Sequence, residues 1–175
     1  MTDLRGKTAL VTGSTSGIGK ATAIALAARG AHVLVAGRNE QRAKDVVAGI
    51  EGSGGSATFR LTTLSDLGSA RDLVEWAAEA GGGHVDILIN NAGVAVLGPS
   101  GAATEAEFDE SFAVNVKIPF FLVASLAPAM AGASSATRKN GILTFSAKVS
   151  SNSASVAALL GPSTATPALL MRMST

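Results

Sequence analysis

The sequence predicts a doubly wound α/β domain with a parallel sheet, on three observations. Short apolar runs rich in β-formers alternate five times with helical patterns. The strand runs are apolar on both faces, as parallel strands covered by helices on each side must be. A glycine-rich turn joins the first strand to the first helix, and tight turns of that kind carry small ligands at the carboxyl ends of such sheets.

The elements follow in order. Residues 8–12, Thr-Ala-Leu-Val-Thr, read as a buried strand, and 18–29 as an Ala-rich helix. A second strand covers 32–36, a polar helix 40–50 and a third strand 57–61. Residues 67–80 form a helix with Leu67, Ala70, Leu73, Val74 and Ala77 on one face. Asp66 falls where it caps that helix beside Ser65. Residues 85–89 are a fourth strand, 105–130 one long helix and 141–145 a fifth strand. Loops fall where Gly and Ser cluster, at 52–55, 81–83 and 98–101. The expected strand order is 3-2-1-4-5, with the fold incomplete at its C-terminal side.

Composition narrows the function classes. The chain has 175 residues, enough for one domain with a substantial core. Fourteen Lys and Arg against 13 Asp and Glu exclude the basic footprint of a general nucleic-acid binder. Zero cysteine excludes a disulfide scaffold and a thiolate metal site, and fits a reducing compartment. No His/carboxylate cluster suggests a metal site; His32 and His84 begin strands and read as structural, and Trp76 as packing in an amphipathic helix. The start lacks a secretory leader, and the apolar window 118–131 is short and holds Pro119 and Pro128, so the expectation is a soluble, cytoplasmic protein without membrane contact. There is no tyrosine.

Residues 1–147 read as a dinucleotide-binding domain and 148–175 as an atypical tail. All 13 acidic residues lie at or before Glu110, and from Lys148 the chain is Ser, Ala, Thr, Leu and Pro without a clear period. The tail is expected to be poorly ordered, which would leave the fifth strand as an exposed edge.

The turn Thr12-Gly13-Ser14-Thr15-Ser16-Gly17-Ile18-Gly19 carries the first chemistry. Between a strand and a helix, glycines allow a sharp turn and close approach of a pyrophosphate, while the helix N-terminus aims free N–H groups at the anion. The spacing is Gly-x-x-x-Gly-x-Gly. With Asn90-Asn91-Ala92-Gly93 after the fourth strand, Asp86-Ile87-Leu88-Ile89 before it, Val114-Asn115-Val116 and Gly141 to Ser146, it resembles the short-chain dehydrogenase/reductase family over residues 5 to 147. The resemblance implies a Rossmann-like fold and an oxidoreductase acting on a small-molecule alcohol or carbonyl substrate. It gives Gly13, Gly17 and Gly19 the phosphate turn, with contacts from Ser14, Ser16 and Ile18. It sets Asn91, Ala92 and Gly93 against the adenosine ribose, leaves Asn90 and Asp86 as braces, and implies association of copies into a homo-oligomer through the long helix. At the end of the second strand stands Arg38 in place of a carboxylate; a planar cation there suits a 2′-phosphate and favours NADP(H) over NAD(H).

The family pattern breaks in two places. Thr63 stands where relatives carry an Asp facing the adenine. Catalysis in relatives rests on Ser, Tyr, Lys and a supporting Asn, with the Tyr phenol exchanging the proton while hydride moves. Only Asn115 and Ser146 have counterparts here, and Ser146 stands one residue before the usual serine. The stretch Val156 to Gly161 has neither Tyr nor Lys where the Tyr-x-x-x-Lys pair belongs. Three readings stand: an active oxidoreductase of the family, a cofactor-binding or partner-binding remnant without chemistry, and a truncated or frame-shifted product.

Overall fold

In a computed structural model of the chain, the described residues are 3–95 and 102–132, together with the strands Ile142–Lys148 and Ala154–Leu160. The strands are β1 (Thr8–Thr12), β2 (His32–Gly37), β3 (Ser56–Leu61), β4 (Ile87–Asn90), β5 (Ile142–Lys148) and β6 (Ala154–Leu160). Helices α1 (Gly17–Ala27), α2 (Glu40–Gly52) and α3 (Leu67–Ala80) connect the first four strands, and α4 (Glu105–Phe112) and α5 (Ile118–Gly132) follow β4. The sheet order is β3-β2-β1-β4-β5-β6, with the first five strands parallel, as the alternation predicts.

The strands sort their side chains with period two. Leu10, Leu34 and Leu88 face one way, into a core closed by Leu73 and Ala77 of α3 and by Ile118, Leu122 and Leu126 of α5. Val11, Val33, Val35 and Ile87 face the other, into a core closed by Ala23 and Ala27 of α1 and by Val46 and Ile50 of α2. A parallel sheet buried on both faces needs apolar residues at consecutive positions, which is why β1 has no alternation to read in sequence. Alanine-rich α1 lies close on the sheet, and β1 is buried at all five positions.

Helix starts are fixed locally. The Asn39 side chain accepts from the Arg42 N–H at 2.9 Å. Asp66 caps α3, accepting from the Ser69 N–H at 2.8 Å in a capping box that the Ser69 hydroxyl completes. That backbone bond and the Ser65 hydroxyl hold the Asp66 carboxyl below its ordinary value. Asp66 therefore stabilises α3 at neutral pH, an effect lost as acid protonates it.

Two elements differ from expectation. The single helix expected over 105–130 is interrupted by a π-helical segment, Ala113–Lys117, in which the Ile118 N–H reaches back five residues to the Ala113 carbonyl. Pro119 gives the physical reason: it has no N–H to return to the Asn115 carbonyl, so the ladder slips by one residue just ahead of it. The second difference is a strand that the sequence reading did not expect, β6, paired antiparallel with β5 from Ile142↔Leu160 to Lys148↔Ala154. Only residues 149–153 separate the two strands, too few for the dozen or so residues that a parallel crossover needs, so reversal is the available pairing. The uncharged, Ala/Val/Leu-rich run 154–160 can join a sheet, and β5 is no longer its edge. The remaining tail positions, 149–153 and 161–175, lie outside the described residues.

By length and composition alone the stretch Glu105–Ala127 could cross a membrane. Its Ile118, Leu122 and Leu126 are instead packed in the core.

Away from the glycine turn, Asp86 ties the sheet together. Its carboxylate is buried and accepts from the Thr8 N–H and the Lys7 ammonium, both at 2.9 Å. Asp86→Ala leaves both donors without their partner and is expected to cost about 3 kcal/mol, read as a lower urea midpoint at unchanged slope.

Candidate functional site

At the carboxyl ends of β1 to β4 lies a cleft of about 580 Å³. Its floor is the β1–α1 turn. Gly13 has φ +65°, and a Cβ there would stand 2.9 Å from the Ala92 Cα. At Gly19 a Cβ would strike the Asn91 amide nitrogen and stand 2.5 Å from the Gly13 carbonyl oxygen. The turn thus needs glycine at Gly13 for both its dihedral and its closeness to β4's exit, and at Gly19 for closeness alone.

That closeness is held by hydrogen bonds. The Asn91 carboxamide donates to the carbonyls of Thr12 and Gly13 at 3.0 and 3.1 Å. The Thr12 hydroxyl oxygen accepts from the N–H groups of Asn91 and Ala92, both at 3.0 Å. Both carbonyls are therefore already paired with a donor, which suits a turn that receives an anion.

The walls come from three elements. Gly37 and Arg38 end β2, and Asn39 and Arg42 open α2 beside them. Thr62, Thr63, Leu64 and Ser65 follow β3. Asp109 and Glu110 with Ala113 and Val114 form the opposite side. Glu40, in the first turn of α2, is engaged by Lys44 at 2.7 Å, a bond that holds its carboxyl below the usual range and leaves it less able to repel an anion in the cleft.

The structure brings together most of the residues proposed from sequence for the cofactor: Gly13, Ser16, Gly17, Ile18, Arg38, Asn91, Ala92 and Gly93 all line the cleft, and Gly19 lies beneath it. Ser14 does not line it. Its hydroxyl is buried, donating to the Val11 carbonyl at 2.6 Å and accepting from the Ala36 N–H at 3.1 Å, so it fastens the turn to β2. Thr15 takes the place at the cleft wall expected of Ser14. Arg42 was missed by the sequence reading, although its place three residues after a capping Asn already put it in the first turn of α2.

The two residues matched to catalysis are differently placed. Asn115 lies in the π-helical segment, where its carboxamide accepts from the Val94 N–H at 3.0 Å and donates to the Val94 carbonyl at 2.7 Å and the Ser111 hydroxyl at 3.2 Å. It clasps the chain leaving β4 as a neighbouring strand would. Ser146 lies in β5 one register step beyond the Phe145↔Asn90 pair, at the carboxyl end of the sheet; its side chain lies outside the described residues. Among the described residues no group of three His or carboxylate side chains could hold a metal.

A sequence profile of the short chain dehydrogenases matches residues 7–159. The chain belongs to this family. An uncharacterized oxidoreductase of Thermotoga maritima is 39% identical over 120 residues, which are 69% of this chain and 47% of that protein. Among solved structures, a metagenomic short-chain oxidoreductase in complex with NADP is 36% identical, with a TM-score of 0.71 over 75% of this chain and 60% of that one. A short chain dehydrogenase from Burkholderia cenocepacia J2315, also in complex with NADP, is 38% identical, with a TM-score of 0.70 over 74% and 53%. The chain spans about half the length of the curated relatives it matches.

The floor of this dehydrogenase cleft makes a testable demand. Gly19→Ala pushes a methyl group into Asn91 and the Gly13 carbonyl and is expected to cost about 1–3 kcal/mol of stability. Gly49→Ala, in α2 with nothing within 4 Å of its Cβ, is expected to raise stability by about 0.5–1 kcal/mol. Urea melts of the two variants check both signs.

Proposed function

We propose that the chain binds NADP(H) in this cleft and forms the cofactor-binding portion of an oxidoreductase for an alcohol or carbonyl substrate. The observation that carries the reading is the Gly13–Gly19 turn, held by Asn91 and Thr12 where a Cβ would not fit, with Arg38 at the end of β2 and no carboxylate at that place. The turn and the N-terminus of α1 would take the pyrophosphate, Ala92 and Gly93 the adenosine ribose, and Arg38 the 2′-phosphate. The NADP complexes of the two solved relatives support the same choice. The bound cofactor would supply or accept the hydride.

Proton transfer is the part this chain does not furnish. It has no tyrosine, and Asn115 spends its carboxamide on Val94 and Ser111. We therefore read the chain as binding cofactor without turnover by its own residues, soluble and cytoplasmic as its cysteine-free composition fits. NADPH at about a hundred times its dissociation constant should add about 2.7 kcal/mol of stability, seen as a rise in melting temperature, with no loss of 340 nm absorbance when mixed carbonyl compounds are added. No rise would overturn the binding reading; NADPH consumption would overturn the absence of turnover.

A second reading concerns association. Phe108, Phe112, Val116 and Phe120 recur every four residues along α4, the π segment and α5, and are 63, 50, 48 and 61% exposed. Such a row is unusual on a surface facing only water. We propose that a second copy covers it, because a continuous stripe can face its own twofold image with aromatic against aromatic. Phe112→Asp is expected to shift the sedimentation of the protein to that of a monomer while leaving NADPH binding in place. A wild-type chain that already sediments as a monomer would overturn this reading.

A further inference from the structure

We propose that Arg42 is a second phosphate-holding cation, and that the pair Arg38 and Arg42, rather than Arg38 alone, sets selectivity for a 2′-phosphorylated dinucleotide. The inference rests on the cleft being a dinucleotide site.

Three observations carry it. The first is place: Arg38 is the residue before the Asn39 cap and Arg42 the third residue of α2, and both side chains line the cleft. Side chains on a helix lean toward its N-terminus, so Arg42 is aimed back over the cap toward Arg38. The Asn39 cap fixes that first turn through the Arg42 N–H, which makes the guanidinium's point of attachment rigid.

The second is availability. Neither arginine makes an ion pair among the described residues, whereas Glu40, the nearest carboxylate in sequence, is engaged by Lys44. Both guanidinium groups belong to exposed residues and keep their donors for a ligand.

The third is charge balance. The charged side chains of the cleft lining are Arg38, Arg42, Asp109 and Glu110. With Arg38 alone the lining would carry one negative charge in sum, a poor receptor for a phosphate that itself brings about two. Arg42 brings the sum to zero, and the positive end of α2 tips the local potential toward anions. Two planar guanidinium groups can also divide the phosphate oxygens between them, which a single fork cannot.

The test is calorimetric titration of the full chain with NADPH and with NADH. Arg42→Ala is expected to weaken NADPH by about 10- to 100-fold and to move NADH by less than about twofold, with the melting temperature of the free protein unchanged. Arg42→Lys, which keeps the charge but loses the fork, is expected to fall between. Arg38→Ala combined with Arg42→Ala should bring the two affinities together. A role of Arg42 confined to building α2 would weaken both dinucleotides alike, and that result, or an unchanged NADPH affinity, would overturn the proposal. If the wild type binds neither dinucleotide, the nucleotide reading of the cleft itself has failed, and this inference with it.

Discussion

The cleft depends on the close approach of two loops, the turn after β1 and the chain leaving β4. Asn91 and Thr12 hold them together through six protein groups: the carbonyls of Thr12 and Gly13, the N–H groups of Asn91 and Ala92, the Asn91 carboxamide and the Thr12 hydroxyl. Each is a buried or half-buried polar group that would be costly to leave unpaired. The same bonds explain the spacing of the motif. Gly13 and Gly19 are separated so that the Asn91 amide lies against both, and a side chain at either position would push it out. What reads in sequence as two motifs about eighty residues apart is in space one joint.

From that joint the rest of the site is fixed outward. Ser14 carries the turn's position to β2 through the Ala36 N–H, so the end of β2, and Arg38 with it, is indexed to the floor of the cleft. Asn115 does the equivalent on the other side, clasping Val94 and setting the chain after β4 against the π-helical segment. Asn is a modest helix former, and its carboxamide competes with the helix ladder. Here it sits where Pro119 has already cost that ladder a donor, so the conflict between local preference and helix is confined to one place.

Much of this was legible in the sequence because the signals were local. Strand runs, the Asp66 cap and the glycine turn depend on neighbouring residues only. Ser14 was misread because the residues of a tight turn point in different directions, and composition does not say which of Ser14, Thr15 and Ser16 turns inward. Arg42 is hidden for a different reason: the strand end marks the place for a phosphate-binding cation, while the helix that follows delivers its first turn to the same cleft. The π-helical segment was hidden because the apolar run around its cause, Pro119, continues the pattern of one helix over 105–130, and a slip in the ladder comes from a missing donor rather than from propensity. Strand β6 was hidden because pairing with β5 is decided by sequence separation and an available edge, neither of which appears in local propensity.

The joint and the chemistry need not survive together. Holding a dinucleotide requires the turn, the β4 exit and the cation at the end of β2, all contained in the described part of this dehydrogenase domain. Moving a proton to a substrate oxygen requires a group of suitable pKa at a fixed distance from the hydride, and in relatives that group is a phenol on a helix after β5. In this chain residues 154–160 form a strand instead, antiparallel to β5, and positions four apart on a strand stand roughly 13 Å from one another, where one turn of helix brings a Tyr-x-x-x-Lys pair together. A tyrosine and a lysine placed four apart on that strand would be too far from each other to act as the pair does on a helix. The helix that presents them would have to replace β6.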